Sequence, residues 1–393
     1  MRLKMLIPLG VVLLLLIPSA AASAHVKWFA DFAFTDRPLP LQDAITPTVI
    51  ALTLLSMAGV GVLVFVDRRL DAIPGYQRIS QWLADRRALS TLALRIGAGI
   101  TLLLSWQADA LLVPELPITS AFVGWMQFVL ALLLIFPFTV PVAGVGIIGL
   151  WVIGVVDYGL FYMMDYLVFI GVGVFLIVSQ AREVRVRALG VPALYFTLGF
   201  SLAWLGVEKL IYPEWGLYIL QQNPQLALGF PFRFFLTGAA FVEITLGYLL
   251  IIGLMGRPLS LVVTLVFFGT TLVFGKTEVI GHTILHAALI VFLLEGPGHF
   301  YPAPIDIHRK LNWRVAFAAV NFLLVLAVFL VPYALGARAT YTDAMAETLT
   351  ADTVQTCQTD PAAEVVLSDG NTVACAEVLA YVEEADSPLA AGG

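Results

Sequence analysis

The strongest constraint on this chain is a succession of apolar segments, each near the length of a bilayer-spanning helix. A hydrocarbon core of about 30 Å needs about 20 predominantly apolar residues to cross as a helix. Ten such segments follow one another, at roughly 45–66, 90–106, 119–137, 141–158, 162–180, 190–208, 232–254, 259–275, 278–295 and 315–336. Composition agrees, with 60% of residues hydrophobic and only 12% charged, about half the charged share of an average soluble chain. The sequence predicts an all-α polytopic membrane helical bundle set in a lipid bilayer. Nothing in it resembles a nucleic-acid footprint.

Ahead of the first span, residues 1–24 read as a signal peptide. Arg2 and Lys4 form a basic start, Met5 to Ile17 an apolar core, and Ser19 to Ala24 a zone of small residues. Cleavage after Ala24 makes His25 the mature N-terminus, cleavage after Ala22 makes it Ser23, and an uncleaved anchor is the alternative. Residues 25–44 then form an outer segment, and 45–89 the first membrane helix and a cytoplasmic loop. Ten spans with an outside start place twelve Lys and Arg on the inside, from Arg68 to Arg314. Six lie on the outside: Lys27, Arg37, Lys209, Arg233, Lys276 and Arg338. That asymmetry satisfies the positive-inside rule. Only "DYGLFYMMD" (Asp157 to Asp165) parts the fourth and fifth spans, but fusing them reverses every later loop and breaks the pattern. The location expected is the cell membrane, with both mature termini extracytoplasmic.

The tail, 337–393, carries ten Asp and Glu against one Arg338, and the only two cysteines, Cys357 and Cys375. An oxidising compartment lets them pair as a structural disulfide. The alternative is two free thiols; their spacing is not that of a C-x-x-C motif.

An internal repeat organises the rest. "DALLVPE" (Asp109 to Glu115) matches "EKLIYPE" (Glu208 to Glu214) at an offset of 99. "MQFVLALLLI" (Met126 to Ile135) matches "VEITLGYLLI" (Val242 to Ile251) at an offset of 116, as does "YLVFIGVGVFLIV" (Tyr166 to Val178) with "HTILHAALIVFLL" (His282 to Leu294). Two parallel four-helix units follow, 90–180 and 190–295, of the kind related by an axis along the membrane normal. Gln127 corresponds to Glu243, Asp109 to Glu208, and Tyr166 and Ile170 to His282 and His286. The second unit therefore reads as the site and the first as a scaffold. The adjacent Glu208 and Lys209 read as a solvated interfacial pair.

Residues 190–295, opening with "LGFSLAWLGVEKLIYPEW" (Leu198 to Trp215), resemble the DoxX-like integral membrane proteins, with 90–180 as a degenerate copy. The resemblance implies a four-helix bundle in a respiratory-chain or thiol-redox setting. With it come a redox- or metal-linked role, a quinone, and an oxidoreductase partner subunit.

The candidate site lies in "KTEVIGHTILHAAL" (Lys276 to Leu289). Residues four apart on a helix turn about 400°, a drift of about 40° per step, so Glu278, His282 and His286 share a stripe. Ionisable groups within a span are costly and face a bundle interior or cavity. Glu243, midway along its own helix, needs a partner for the same reason. Glu243 and Glu278 are the candidate catalytic carboxylates. His282, His286 and His25 are the candidate ligands for copper or another transition metal. A chain cut before His25 offers an α-amine and an imidazole together, a chelate that suits Cu(II). All four of Glu243, Glu278, His282 and His286 are expected in one pocket in the outer half of the second unit. Three alternatives stay open: histidines that only hydrogen-bond between helices, a small-solute or ion transporter, and a non-catalytic assembly subunit. The H-E-x-x-H pattern of zinc proteases is absent.

Overall fold

In the computed structural model the described residues are 25–30, 32–298 and 302–385, so the signal segment lies outside them. Ten helices form the bundle: α1 (Pro47–Leu70), α2 (Ser90–Gln107), α3 (Ala121–Leu133), α4 (Val140–Tyr158), α5 (Val168–Val178), α6 (Gly190–Ile211), α7 (Phe232–Ile252), α8 (Gly256–Phe274), α9 (Lys276–Glu295) and α10 (Leu311–Thr348). Eight of them are long and apolar enough to cross a membrane; α3 and α5 are the exceptions. The 13 residues of α3 cover only about 20 Å at about 1.5 Å per residue. It stops just before Phe136, whose extended backbone precedes Pro137; a residue before proline is sterically pushed out of the helical region. Helix α5 is bent by 62° from the short helical stretch Leu160–Tyr166. At that bend the Val168 N–H is taken by Ser201 Oγ at 3.2 Å. The segments expected at 119–137 and 162–180 are thus helical without being straight, full-length spans. Helix α4 ends at Gly159, whose φ of 86° few other residues adopt, so the fourth and fifth segments are separate elements.

Consecutive helices pack within α2–α5 and within α6–α9, and the two sets meet reciprocally. The first helix of each packs on the last of the other, α2 on α9 and α6 on α5. At Gly97 of α2 an added Cβ would collide with Ala287 of α9, and at Gly171 of α5 with Thr197 of α6. Gly171 and Ala287 are equivalent in the sequence repeat (171 + 116 = 287). The result is a closed circuit of eight helices with a shared interior. Helices α1 and α10 pack together and lie against α6 and α7.

One segment covers an end of this circuit, and a second extends beyond the bundle. The N-terminal stretch is tied down where Leu39 N–H donates to Ile211 O at 2.9 Å and Trp215 Nε1 donates to Asp36 Oδ2 at 2.7 Å. Helix α10 runs past residue 336, where the last span was expected to end, to Thr348. Beyond it come α11 (Ala351–Thr359), the antiparallel strands β1 (Glu364–Val366) and β2 (Thr372–Ala374), and α12 (Cys375–Ala385). This tail buries its own small core of Tyr341, Met345, Val365, Leu367, Val373 and Val378 around Cys357 and Cys375. The two cysteines are disulfide-bonded.

Candidate functional site

Below the N-terminal segment lies a buried polar centre built from both four-helix units. A 3₁₀ turn, Val26–Trp28, aims Lys27 into the bundle. Its Nζ lies 2.6 Å from Asp165 Oδ2 and 2.7 Å from Glu208 Oε2, with all three side chains 1% exposed. The Tyr333 hydroxyl of α10 donates to the same Glu208 oxygen at 3.3 Å. The Tyr162 ring, 4.5 Å away, faces the ammonium. One residue on from Glu208, Lys209 pairs with Glu243 Oε2 at 2.7 Å. On α9, Glu278 Oε2 is 2.6 Å from His282 Nδ1 and accepts from Thr270 Oγ at 2.8 Å. The His282 ring stacks on Phe267, centroids 4.4 Å apart.

The first unit contributes equally. Glu115, from the loop between α2 and α3, accepts from the Tyr162 and Tyr166 hydroxyls, and Tyr166 accepts from Trp28 Nε1 at 3.2 Å. His25 stacks on Trp28 with centroids 4.1 Å apart and lies 6.2 Å from the His282 ring. The Trp28 ring fills the space over Gly281, where any Cβ would strike it. His25, Asp165, Lys209, Glu243, Thr270 and His282 are among the residues lining a cavity of about 40 Å³ that reaches down to Leu198 and Val263. At about 10–15 Å³ of such volume per molecule, it has room for roughly three waters and none for a quinone ring.

Charge sets what this arrangement can do. Asp165, Glu115, Glu208, Glu243 and Glu278 face Lys27 and Lys209, a formal balance of −3 before either histidine is counted. A buried charge without a partner costs several kcal/mol even after relaxation. The centre must therefore carry protons or a cation. Outside the spans the directions are clear. Burial pushes the Glu115 carboxyl well above the usual carboxylate range, against the pull of Lys27, and its Oε2 is buried without a partner. Burial also acts to lower Lys27, but Asp165 and Glu208 outweigh it and the net shift is upward. Burial, then His282, Lys209 and Lys27, hold His25 well below its usual value.

The repeat is visible inside the site. Gln127 of α3 donates to Ala110 O and accepts from Leu112 N–H, both at 2.9 Å. Ala110 is the counterpart of Lys209 (110 + 99 = 209), as Gln127 is of Glu243. The same two positions meet in both units, neutral in the first and charged in the second.

Three expectations need correction. His286 does not join the pocket: it lies half-buried against Phe267 and Phe268, ring centroids 5.9 and 4.7 Å away, outside the cavity lining. Glu208 and Lys209 are not solvated but almost fully buried. The first unit is no mere scaffold, since Asp165, Tyr166 and Glu115 belong to the centre. Glu243, Glu278 and His282 do come together, and His25 folds in beside them. Among the described residues no group of three or more His, Cys, Asp or Glu side chains is arranged to hold a metal ion, so His25, His282 and His286 form no triad. Lys27, Asp165 and Glu115 were missed by sequence reasoning. The available signals were a lysine directly before an aromatic-rich stretch (Trp28 to Phe34) and the repeated "PE". Comparison with protein-family models, curated proteins and solved structures finds no match.

Proposed function

We propose that the protein is a redox-linked membrane subunit whose buried centre holds exchangeable protons, accessible from one end of the bundle only. The observation that carries this reading is the carboxylate excess around a water-sized cavity. Protons are the cations that a cavity of this size exchanges most readily, through the few waters it can hold. The redox link rests on the resemblance of 190–295 to DoxX-like proteins. A solute transporter is less well supported, because a cavity for about three waters does not accommodate an organic solute. The one-sidedness follows from the opposite half of the same helices, where Leu194, Tyr195, Leu289 and Phe292 pack as apolar core.

Infrared spectroscopy of the copper-free protein in lipid at about pH 7 tests the reading, since buried protonated carboxyls have a distinct carbonyl stretch. The expected result is such a band, weakened in Glu115→Gln, with trans-bilayer proton flux in liposomes no faster than in protein-free controls. Full ionisation of every carboxyl at neutral pH overturns it, and so does a flux abolished by Glu115→Gln.

A further inference from the structure

Two imidazole nitrogens in the centre make no hydrogen bond, His25 Nδ1 and His282 Nδ1. His25 Nδ1 is buried and makes no hydrogen bond, and His25 lines the cavity. Nδ1 is the ring nitrogen that can close a six-membered chelate with the residue's own α-amine, provided that amine is free. Across the cavity His282 has its Nδ1 2.6 Å from Glu278 Oε2, a close polar contact without hydrogen-bond geometry, so Nε2 is the nitrogen left to turn toward a ligand. A histidine whose second nitrogen meets a carboxylate is the usual arrangement of a metal-bound imidazole. The two ring centroids are 6.2 Å apart. Two imidazoles that share one ion from opposite sides through bonds of about 2.0–2.1 Å have centroids about 6 Å apart, so the spacing of the two rings suits a shared ion.

We propose that the chain, once cut before His25, binds one copper ion through the His25 α-amine, His25 Nδ1 and His282 Nε2, with Glu278 orienting His282. Copper(II) binds nitrogen ligands more tightly than the other common divalent ions of its row. Lys27 and Lys209 oppose a cation here, but Asp165, Glu115, Glu208, Glu243 and Glu278 outnumber them. Glu278 lies within electrostatic range of Glu243, so the added charge falls where negative charge is in excess. Two side chains and a main-chain amine make up the donor set, which is why no three-side-chain cluster is present. The site goes beyond the proton reading and stands independently of its redox link.

Full-length protein purified from membranes, N-terminally sequenced and loaded with Cu(II) alone, is the test. The expected result is a chain beginning at His25 that holds one copper with hyperfine coupling to three nitrogens. A chain with one alanine inserted before His25 keeps every side chain yet loses the chelate, so its copper loss is not unfolding. His282→Ala loses the third nitrogen, Glu278→Gln binds about 10- to 100-fold more weakly, and His286→Ala binds as the parent does. A mature chain that starts elsewhere overturns the proposal, as does copper retained equally in the alanine-extended or His282→Ala protein. The infrared test uses copper-free protein, so either reading can fail without the other.

Discussion

Replacing Lys27 by methionine keeps the stem volume and removes the charge. Asp165 and Glu208 then lose the ammonium that lies 2.6 and 2.7 Å from them; Glu208 keeps only the Tyr333 hydroxyl at 3.3 Å. Removing one partner of a buried ion pair costs about 3–5 kcal/mol. One proton taken up by the stranded pair replaces the lost charge and limits the loss. Each proton held above the unfolded carboxyl pKa of about 4 costs about 1.4 kcal/mol per pH unit, or about 4 kcal/mol at pH 7. Both routes give about 3–5 kcal/mol at neutral pH. The sign follows from linkage. The folded variant binds more protons than its unfolded chain, so its stability falls as pH rises. In the parent, Lys27 is shifted upward, so its contribution is complete below the usual lysine range and is lost only in strong alkali. The deficit should therefore widen from about 1–2 kcal/mol near pH 5 to the full value near pH 7. Because the pair anchors the N-terminal segment, the readout is hydrogen exchange at Leu39, whose amide is bonded to Ile211 O. Local opening sets that protection, and about 3–5 kcal/mol is a loss of roughly 100- to 4,000-fold at about 1.4 kcal/mol per tenfold. The triple variant Lys27→Met, Asp165→Asn, Glu208→Gln should recover most of it, since it leaves no stranded charge. A loss below about tenfold at neutral pH, or one that does not depend on pH, would refute the reasoning.

Gly281→Ala should displace the Trp28 ring, at an overpacking cost of about 1–3 kcal/mol, and shift Trp28 fluorescence toward that of a solvated indole; an unchanged spectrum against a Trp28→Phe control would count against the packing. Glu243→Gln leaves Lys209, whose side chain is 1% exposed, with a neutral partner and should destabilise the protein by about 3–5 kcal/mol. Gln127→Ala strands one N–H and one carbonyl at about 1–3 kcal/mol each, neither of which titrates; thermal inactivation in detergent should therefore depend on pH more steeply for Glu243→Gln than for Gln127→Ala, and equal pH dependence would contradict the charged-versus-neutral reading. Reduction of Cys357–Cys375, which spans 18 residues, should remove about 3 kcal/mol from the tail core alone, seen as proteolysis of 349–385 while the helical bundle persists.

The sequence by itself determined the class of structure, because apolar runs of this length leave helices as the natural way to satisfy the backbone. It also determined the repeat, the two cysteines available to pair, and the Glu278–His282 pairing, which is local to one helix turn. Tertiary structure decided the rest. Lys27 meets Asp165 across 138 residues of chain, and no periodicity within either segment encodes that meeting. Glu208 and Lys209 looked like surface residues because their depth depends on the N-terminal segment that folds over them. His286 left the site for a reason the helix itself supplies. From residue 278 to 282 the drift is about 40°, but from 278 to 286 it is about 80°. The first step keeps His282 facing the cavity, while the second carries His286 round to Phe267 and Phe268. A stripe along one helix fixes which residues are neighbours; the width of the space the other helices leave open fixes how many of them share it.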